Sequence, residues 1–485
     1  MTDIVAVLAL AAPLAPLAAL PPALAGRSAA AIDRAGRRGF AAAALPALAL
    51  AVLAVARAGD PPLRGAWWRV DAPGGVFVAT IAVVGAAAAV ASPAYLRGAP
   101  SSRAGALGAR RLYWAALGAF WAALIAVPLA RNLGLTWILL EATTAASALL
   151  VAFSGTRRAI EAGWKYLVLT SLGLAVALVG IVMLSARAGS LDLDALARRA
   201  PDLGGDAPLA AFVLIVAGLA SKAGWAPVHN WLPDAHSEAP PPVSALLSAA
   251  LLPAVALVAW RLSSALEPAV GSGAVRAVFI GFGLASLAVA VPFLWRPMPW
   301  KRLLAYSSLE HMGVIALAIG IQHPLAVAGA LVHVAGHGVA KALGFCAAVP
   351  LLRYQPAAGR RPPRGLASLD RRLAGAVGVS LAALSGLPPS PLFVSEVLVL
   401  AGAVAAGLTW AAAVAAVLLA LGFLGMAHAA VEGVAGTPSG RRPTAGRGTR
   451  QIGVLAGAAA VVLVALTAAA FAVPDSALVA AVAAW

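Results

Sequence analysis

The chain has 485 residues, 62% of them hydrophobic and only 11% charged. Soluble domains carry roughly 45–50% apolar and about 25% charged residues, so an ordinary soluble protein is excluded. The formal net charge of +17 is scattered over short loops beside apolar runs, which points to the anionic cytoplasmic face of a membrane and not to nucleic acid. The single cysteine, Cys346, lies inside an apolar run, which excludes an internal disulfide framework and a Cys-ligated iron–sulfur cluster.

Apolar runs of about 20 residues recur from end to end, the length a helix needs to cross a bilayer. They predict an all-α polytopic membrane protein. A transmembrane β-barrel would need alternating strands, and these Ala/Leu/Val runs do not alternate. In chain order the predicted spans are 4–25, 40–57, 76–96, 112–130, 133–153, 165–186, 208–226, 242–266, 275–295, 303–321, 324–352, 373–407, 410–432 and 452–473, fourteen in all. No basic segment precedes the first run, so no cleavable signal peptide is expected.

The loops after spans 1, 3, 5, 9, 11 and 13 hold the basic clusters. These are Arg27/Arg34/Arg37/Arg38, Arg97/Arg103/Arg110/Arg111, Arg157/Arg158, Arg296/Lys301/Arg302, Arg353/Arg360/Arg361/Arg364/Arg371/Arg372 and Arg441/Arg442/Arg447/Arg450. Loops of the opposite parity are short, mixed or acidic, such as LDLDALARRAPDLGGD (191–206). The positive-inside rule then puts the basic loops in the cytoplasm and both termini outside, with a bacterial inner membrane as the expected location.

An ionisable side chain at mid-bilayer costs at least ~2.5–3.5 kcal/mol, so the charges inside these spans need a reason. Glu141 in span 5 has Arg131 as its nearest basic neighbour on that span. It is either a structural carboxylate or a proton carrier controlled by a partner cation. Lys222 lies deep in span 7, just before Gly224 and Pro227, which interrupt the helix. Broken helices inside a membrane are tolerated only against protein or a water-filled cavity. A lysine at such a break is placed to exchange a proton; snorkelling to an interface is the alternative.

Span 11 carries HVAGHGVAK (333–341), with His333, His337 and Lys341 four residues apart. On a helix these positions drift by ~40° and rise ~6 Å per step, giving one ladder about 12 Å long. Histidine both accepts and donates protons near neutrality, so a hydrated proton wire is the preferred reading. HxxxH also suits zinc, but the glutamate of HExxH is absent. Histidines that merely cross-link helices are the third reading.

Glu396 follows GLPPSP (386–391), the interruption of span 12. Glu310 and His311, in YSSLEHMG, are placed near the start of span 10, toward the interface. Lys165 opens span 6 and faces either water or Glu141. Asp234, His236 and Glu238 form a polar knot after span 7, read as end-capping and helix packing.

Spans 7 and 12 are both interrupted and each carries one buried charge. They are five spans apart, and an odd offset reverses orientation. Spans 4–8 and 9–13 are therefore candidate inverted repeats, an arrangement suited to ion translocation. The expected units are residues 1–111, 112–266, 267–432 and 433–485, the middle two being the repeated halves.

WAPVHNWLPDAHSEAPPPVSALL, KRLLAYSSLEHMG, HVAGHGVAKALGF and GLPPSPLFVSE together resemble the antiporter-like subunits of respiratory complex I, of Mrp-type antiporters and of group 4 membrane-bound [NiFe] hydrogenases. The resemblance covers roughly residues 110–430 and is strongest to component F of formate hydrogenlyase-type complexes. It implies that Glu141 pairs with Lys222, that His333, His337 and Lys341 are the span-11 carriers, and that Glu396 stands on the exit side. His229, Asp234, His236 and Glu238 fall in the matched span-7 motif.

Many members also carry a lysine or histidine in span 8 that bridges the half-channels. Here LLSAALLPAVALVAWRL offers only serine and proline before Arg261, leaving Ser248 or water for that role. The long lateral helix of the largest members is not expected after span 14. The resemblance implies a proton-translocating subunit without a cofactor of its own. Its partners would be other membrane subunits and a peripheral redox arm holding Fe–S clusters, with H⁺ or Na⁺ as the ion. A Na⁺/H⁺ antiporter subunit, an ion-driven subunit of an inorganic-carbon uptake complex and an inert membrane anchor are the competing readings.

Overall fold

The structure is a computed structural model that describes residues 2–98, 106–351, 364–438 and 447–471. Arg103, Arg353, Arg360, Arg361, Arg441 and Arg442, and the last residues assigned to spans 11 and 14, lie outside the described residues, as do the side chains of Arg447 and Arg450.

Among the described residues, twelve helices are long and apolar enough to cross a membrane. They are Asp3–Leu24, Ala29–Val55, Ala72–Gly98, Leu107–Leu129, Leu133–Ser154, Arg157–Ala188, Pro241–Val270, Ser272–Leu294, Trp300–Ile321, Pro324–Leu351, Thr409–Ala435 and Gln451–Phe471. Spans 7 and 12 supply the remaining two crossings as pairs of shorter helices. Span 7 consists of Ala207–Ala223 and Leu232–Glu238, and span 12 of Arg371–Leu384 and Pro391–Ala405. Helices dominate because lipid offers no partner to backbone groups, which must then bond within the segment.

Several helices begin earlier than their apolar runs. Ser28 accepts a hydrogen bond from the Ala31 N–H at 3.2 Å and starts span 2 at Ala29. Arg34, Arg37 and Arg38 therefore sit on a helix and not in a loop. Thr156 likewise caps span 6 at Arg157. Two expected loop cations are buried. Arg110 pairs with Asp33 of span 2, and Lys301 donates to the Ala239 carbonyl at 2.5 Å from the first turn of span 10. A compensating acceptor from a neighbouring segment, invisible in the local pattern, draws each one inward.

Both interruptions use a left-handed glycine. Gly224 has φ +72° and Gly386 has φ +70°, conformations that residues with a Cβ rarely adopt. Each is followed by proline, which supplies no backbone N–H to continue a helix.

Burial separates the core helices from the rim. The apolar window of span 10 is 100% buried and those of spans 8 and 11 are 94% and 89% buried, against 22% for spans 13 and 14. Span 8 contains a π-helical turn at Leu247–Leu251, a feature often found at functional sites.

The loops after spans 2, 4 and 6 interlock. A two-stranded hairpin, Leu63–Arg64 with Arg69–Val70, lies in the first; single bridges join Trp68 to Ala130 and Asn132 to Asp192. Arg131 bonds Asp192 at 2.5 Å, Arg64 and Arg69 both hold Asp194, and Arg261 near the end of span 8 bonds Asp71 at 2.9 Å. Loops of one parity thus share one face, as the charge pattern requires.

Candidate functional site

Lys222 is fully buried in the last turn before the break of span 7. Its ammonium donates to Thr144 Oγ1 of span 5 and, at 3.0 Å, to the Tyr166 hydroxyl of span 6. The Tyr166 hydroxyl also meets Ser147 Oγ at 2.8 Å. Trp231 packs tilted against Tyr166 with centroids 4.8 Å apart, and its indole N–H holds the Ser221 carbonyl at 2.7 Å. The break therefore folds back and seals the lysine against protein instead of letting it snorkel.

Glu141 is half-buried one turn before Thr144 and accepts from Ser171 Oγ at 3.0 Å. Among the described residues it makes no ion pair with Lys222 within 4 Å. Hydroxyls satisfy the ammonium by contact, Glu141 turns toward span 6, and the two residues still interact through their charges. Lys165 faces the vestibule, not Glu141. It pairs with Glu161 at 2.7 Å and Asp234 at 3.5 Å, and Asp234 also meets Arg302 at 3.5 Å. Lys165, Asp234, Ser237, Glu238 and Arg302 help line a cavity of about 440 Å³ on the face that carries the basic clusters. His229 lies half-buried in the unwound segment.

His236 is fully buried, and neither ring nitrogen has a protein hydrogen-bond partner. Its ring stacks on Phe345 of span 11 at 5.3 Å and lies 6.4 Å from Trp231. It caps no helix, so the end-capping reading does not apply to it. Its place between the Trp231 shield and span 11 comes from the refolded break, which puts it between Lys222 and the span-11 ladder.

His333, His337 and Lys341 are all fully buried. Lys341 donates to the Leu304 carbonyl at 2.5 Å and to Ser307 Oγ. The adjacent Ser308 Oγ meets Ser248 Oγ of the π-helical turn at 2.7 Å. Ser248, the candidate substitute for the missing span-8 cation, therefore reaches the hydroxyl group next to the Lys341 acceptor.

Glu310 and His311 are buried, 3% and 1% exposed, and not interfacial as their sequence position suggested. Span 10 begins at Trp300, which moves both residues to mid-helix, and every neighbour of span 10 is protein. His311 Nδ1 is 3.1 Å from His333 Nε2, and its ring centroid is 5.1 Å from that of His337. His333 Nδ1 is held by Ser395 Oγ at 2.8 Å, one residue before Glu396.

His311, His333 and Glu396 each bring one ligand-type atom to within 4.8 Å of the others. Glycines make room for the carboxylates: a Cβ at Gly386 would meet Glu396 Oε2 at 2.8 Å, and one at Gly422 of span 13 would overlap Glu310.

Six spans thus supply two polar clusters, one around Lys222 and one around the histidines, with His236, Ser248 and Ser308 between them. Sequence reasoning missed Thr144, Ser147, Tyr166, Ser307, Ser308 and Ser395. Their signal was faint: hydroxyls three or four residues from one another or beside a charged residue inside apolar runs.

The profile of the family described as NADH:quinone oxidoreductase/Mrp antiporter, TM, matches residues 130–422. The chain is 34% identical over 304 residues to a hydrogenase-4 component F homolog of Methylacidiphilum infernorum, covering 61% of this chain and 64% of that one, so the match spans less than two thirds of that relative. It is 31% identical over 396 residues to NADH-quinone oxidoreductase subunit N of Desulforudis audaxviator, covering 76% and 75%. Its fold matches a chain of respiratory complex I from Thermus thermophilus with TM-score 0.81, 23% identity and 98% coverage of both chains.

Proposed function

Because this chain belongs to the NADH:quinone oxidoreductase/Mrp antiporter transmembrane family, as a multi-pass, antiporter-like membrane subunit, we propose that it carries protons through the membrane part of a redox-driven complex. The hydrogenase-type complexes suggested by its component F relative are the preferred setting. The reading is carried by one observation: Lys222, His236, His311, His333, His337 and Lys341 are all buried near 0–1% exposure across spans 7, 10 and 11 and the refolded break. Charges and imidazoles at that depth are costly, and membrane proteins that keep them use them for transport.

The path proposed begins at the vestibule by Lys165, Asp234 and Glu238 and reaches Glu141 and Lys222. Thr144 and Tyr166 hold the ammonium, with Ser147 behind on the Tyr166 hydroxyl, and can exchange protons with it, since a hydroxyl both donates and accepts. His236 and the Ser248–Ser308 pair lead to Lys341 and His337. Buried ring nitrogens without protein partners are the sites that ordered water fills, which suits a hydrated link there. His311 and His333 pass the proton to Glu396. A change in the Glu141–Lys222 separation alters how firmly the lysine holds its proton, and this is the proposed coupling step.

In this reading residues 112–266 and 267–432 are the two half-channels, the basic loops face the cytoplasm of a bacterial inner membrane, and both termini lie outside. The partners are other membrane subunits and a peripheral Fe–S-bearing arm. The test is to reconstitute the purified complex in liposomes and follow internal pH on adding redox substrate. Proton movement independent of Na⁺ supports the proposal. Movement that needs Na⁺ and no redox substrate assigns the chain to Na⁺/H⁺ exchange instead.

A further inference from the structure

We infer that His311, His333 and Glu396 form a binding site for a divalent cation of the zinc class, set across the exit half of the path. The inference deepens the proton-carrier reading, on which its functional consequence rests. Three spans contribute: span 10, span 11 and the second half of span 12. One donor atom from each lies within 4.8 Å of the others. Bound zinc holds its nitrogen and oxygen ligands about 3.3 Å apart, from bonds of ~2.0–2.1 Å in tetrahedral geometry. The imidazole pair already stands at 3.1 Å, so only the carboxylate has to turn inward.

The donor set selects the ion. Two imidazole nitrogens with one carboxylate oxygen suit zinc, whereas sodium, calcium and magnesium take oxygen. The surroundings resemble those of a ligating histidine. Ser395 Oγ occupies His333 Nδ1 at 2.8 Å, which fixes the ring and leaves Nε2 for the ion. Both nitrogens of His337 have no protein partner, and its ring lies 5.1 Å from that of His311, so His337 is the nearest further imidazole.

Charge is compatible as well. Glu310 lies within electrostatic range of Glu396, and two carboxylates balance a divalent ion. Lys341, the nearest cation, acts on Glu310 and is itself held by Leu304 and Ser307. Glu396 packs on Gly386, and Leu387, Pro388 and Pro389 beside it are exposed. An ion there occupies the lone pairs that protons need and arrests transport.

The experiment is equilibrium dialysis of zinc against the purified complex at rest, prepared zinc-free with its redox centres intact and compared with the His333→Asn complex as the background. The expected result is one saturable zinc per chain, unaffected by excess Na⁺ or Mg²⁺ and retained in His428→Asn, which removes an exposed histidine pairing with Glu432. His333→Asn and Glu396→Gln should each weaken binding at least tenfold. His311→Cys should keep it, and Co²⁺ in that variant should gain a thiolate charge-transfer band absent from the wild type. Assembly of each variant is checked by size exclusion. Absence of saturable zinc in the wild type, or binding unchanged in both His333→Asn and Glu396→Gln, overturns the inference. Saturable zinc in a complex that moves no protons even in zinc-free buffer leaves this site standing and removes the proton reading; proton movement in zinc-free buffer by a complex that binds no zinc does the reverse.

Discussion

Nδ1 of His311 on span 10 stands 3.1 Å from Nε2 of His333 on span 11. One of the two nitrogens carries the shared proton, so the tautomer of each ring depends on the other. Ser395 sets the far side of His333 at 2.8 Å, and a proton accepted at one end of this row is felt at the other. Such a row is suited to transfer, and poorly suited to mere helix packing, which apolar side chains achieve without burying polar nitrogens.

His236 provides a separation of relay from packing. Its ring stacks on Phe345 at 5.3 Å. His236→Phe keeps an aromatic ring in that slot and removes both nitrogens. Substrate-driven proton translocation should fall at least tenfold with the complex assembled. Unchanged translocation would make His236 a packing residue.

Glu310 and Gly422 form a second test. The glycine leaves the space that the Glu310 carboxylate fills. Gly422→Ala overpacks this contact and should cost about 1–3 kcal/mol, read as a lower thermal midpoint of the purified complex. Glu310→Ala in the same chain should restore the midpoint. A Gly422→Ala complex as stable as the wild type would contradict this packing.

Ser248 and Ser308 share a hydrogen bond of 2.7 Å where relatives of this kind are expected to carry a cation. Ser248→Ala should slow proton translocation several-fold with assembly intact, whereas Ser248→Lys should be tolerated if the chain can revert to a charged bridge. Full activity of Ser248→Ala would take the hydroxyl out of the path.

Asp71 and Arg261 make a buried pair at 2.9 Å, with Arg261 also on the Pro128 carbonyl at 2.6 Å. Removing one partner of such a pair typically costs about 3–5 kcal/mol, while replacing both by apolar residues is close to neutral. Asp71→Asn should therefore lower the thermal midpoint strongly, and Asp71→Leu with Arg261→Met should recover part of it, the Arg69 and Gly74 N–H contacts to Asp71 staying lost. Equal losses in both would show that the pair does not organise this face.

The twelve long apolar helices of the described residues were legible because lipid demands long apolar runs, and the two breaks because Gly224–Pro227 and Gly386–Pro391 interrupt the others. The ladder at His333, His337 and Lys341 was legible because helical periodicity is local. Depth was not. Glu310 and His311 looked interfacial because the apolar run starts after Lys301 and Arg302, yet the helix begins before them and Lys301 finds the Ala239 carbonyl. The role of His236 depends on how the break folds back, and the Thr144 and Tyr166 partners of Lys222 come from two other spans. Contacts of this kind are tertiary and leave only isolated hydroxyls in the sequence.

The most direct measurement is proton translocation by the assembled complex carrying Lys222→Met, followed by a pH-sensitive dye in liposomes after addition of redox substrate. Methionine fills the space between Thr144 and Tyr166 without a titratable group. The expected result is normal assembly with translocation reduced to the leak of empty vesicles. Translocation close to that of the wild type would contradict the account.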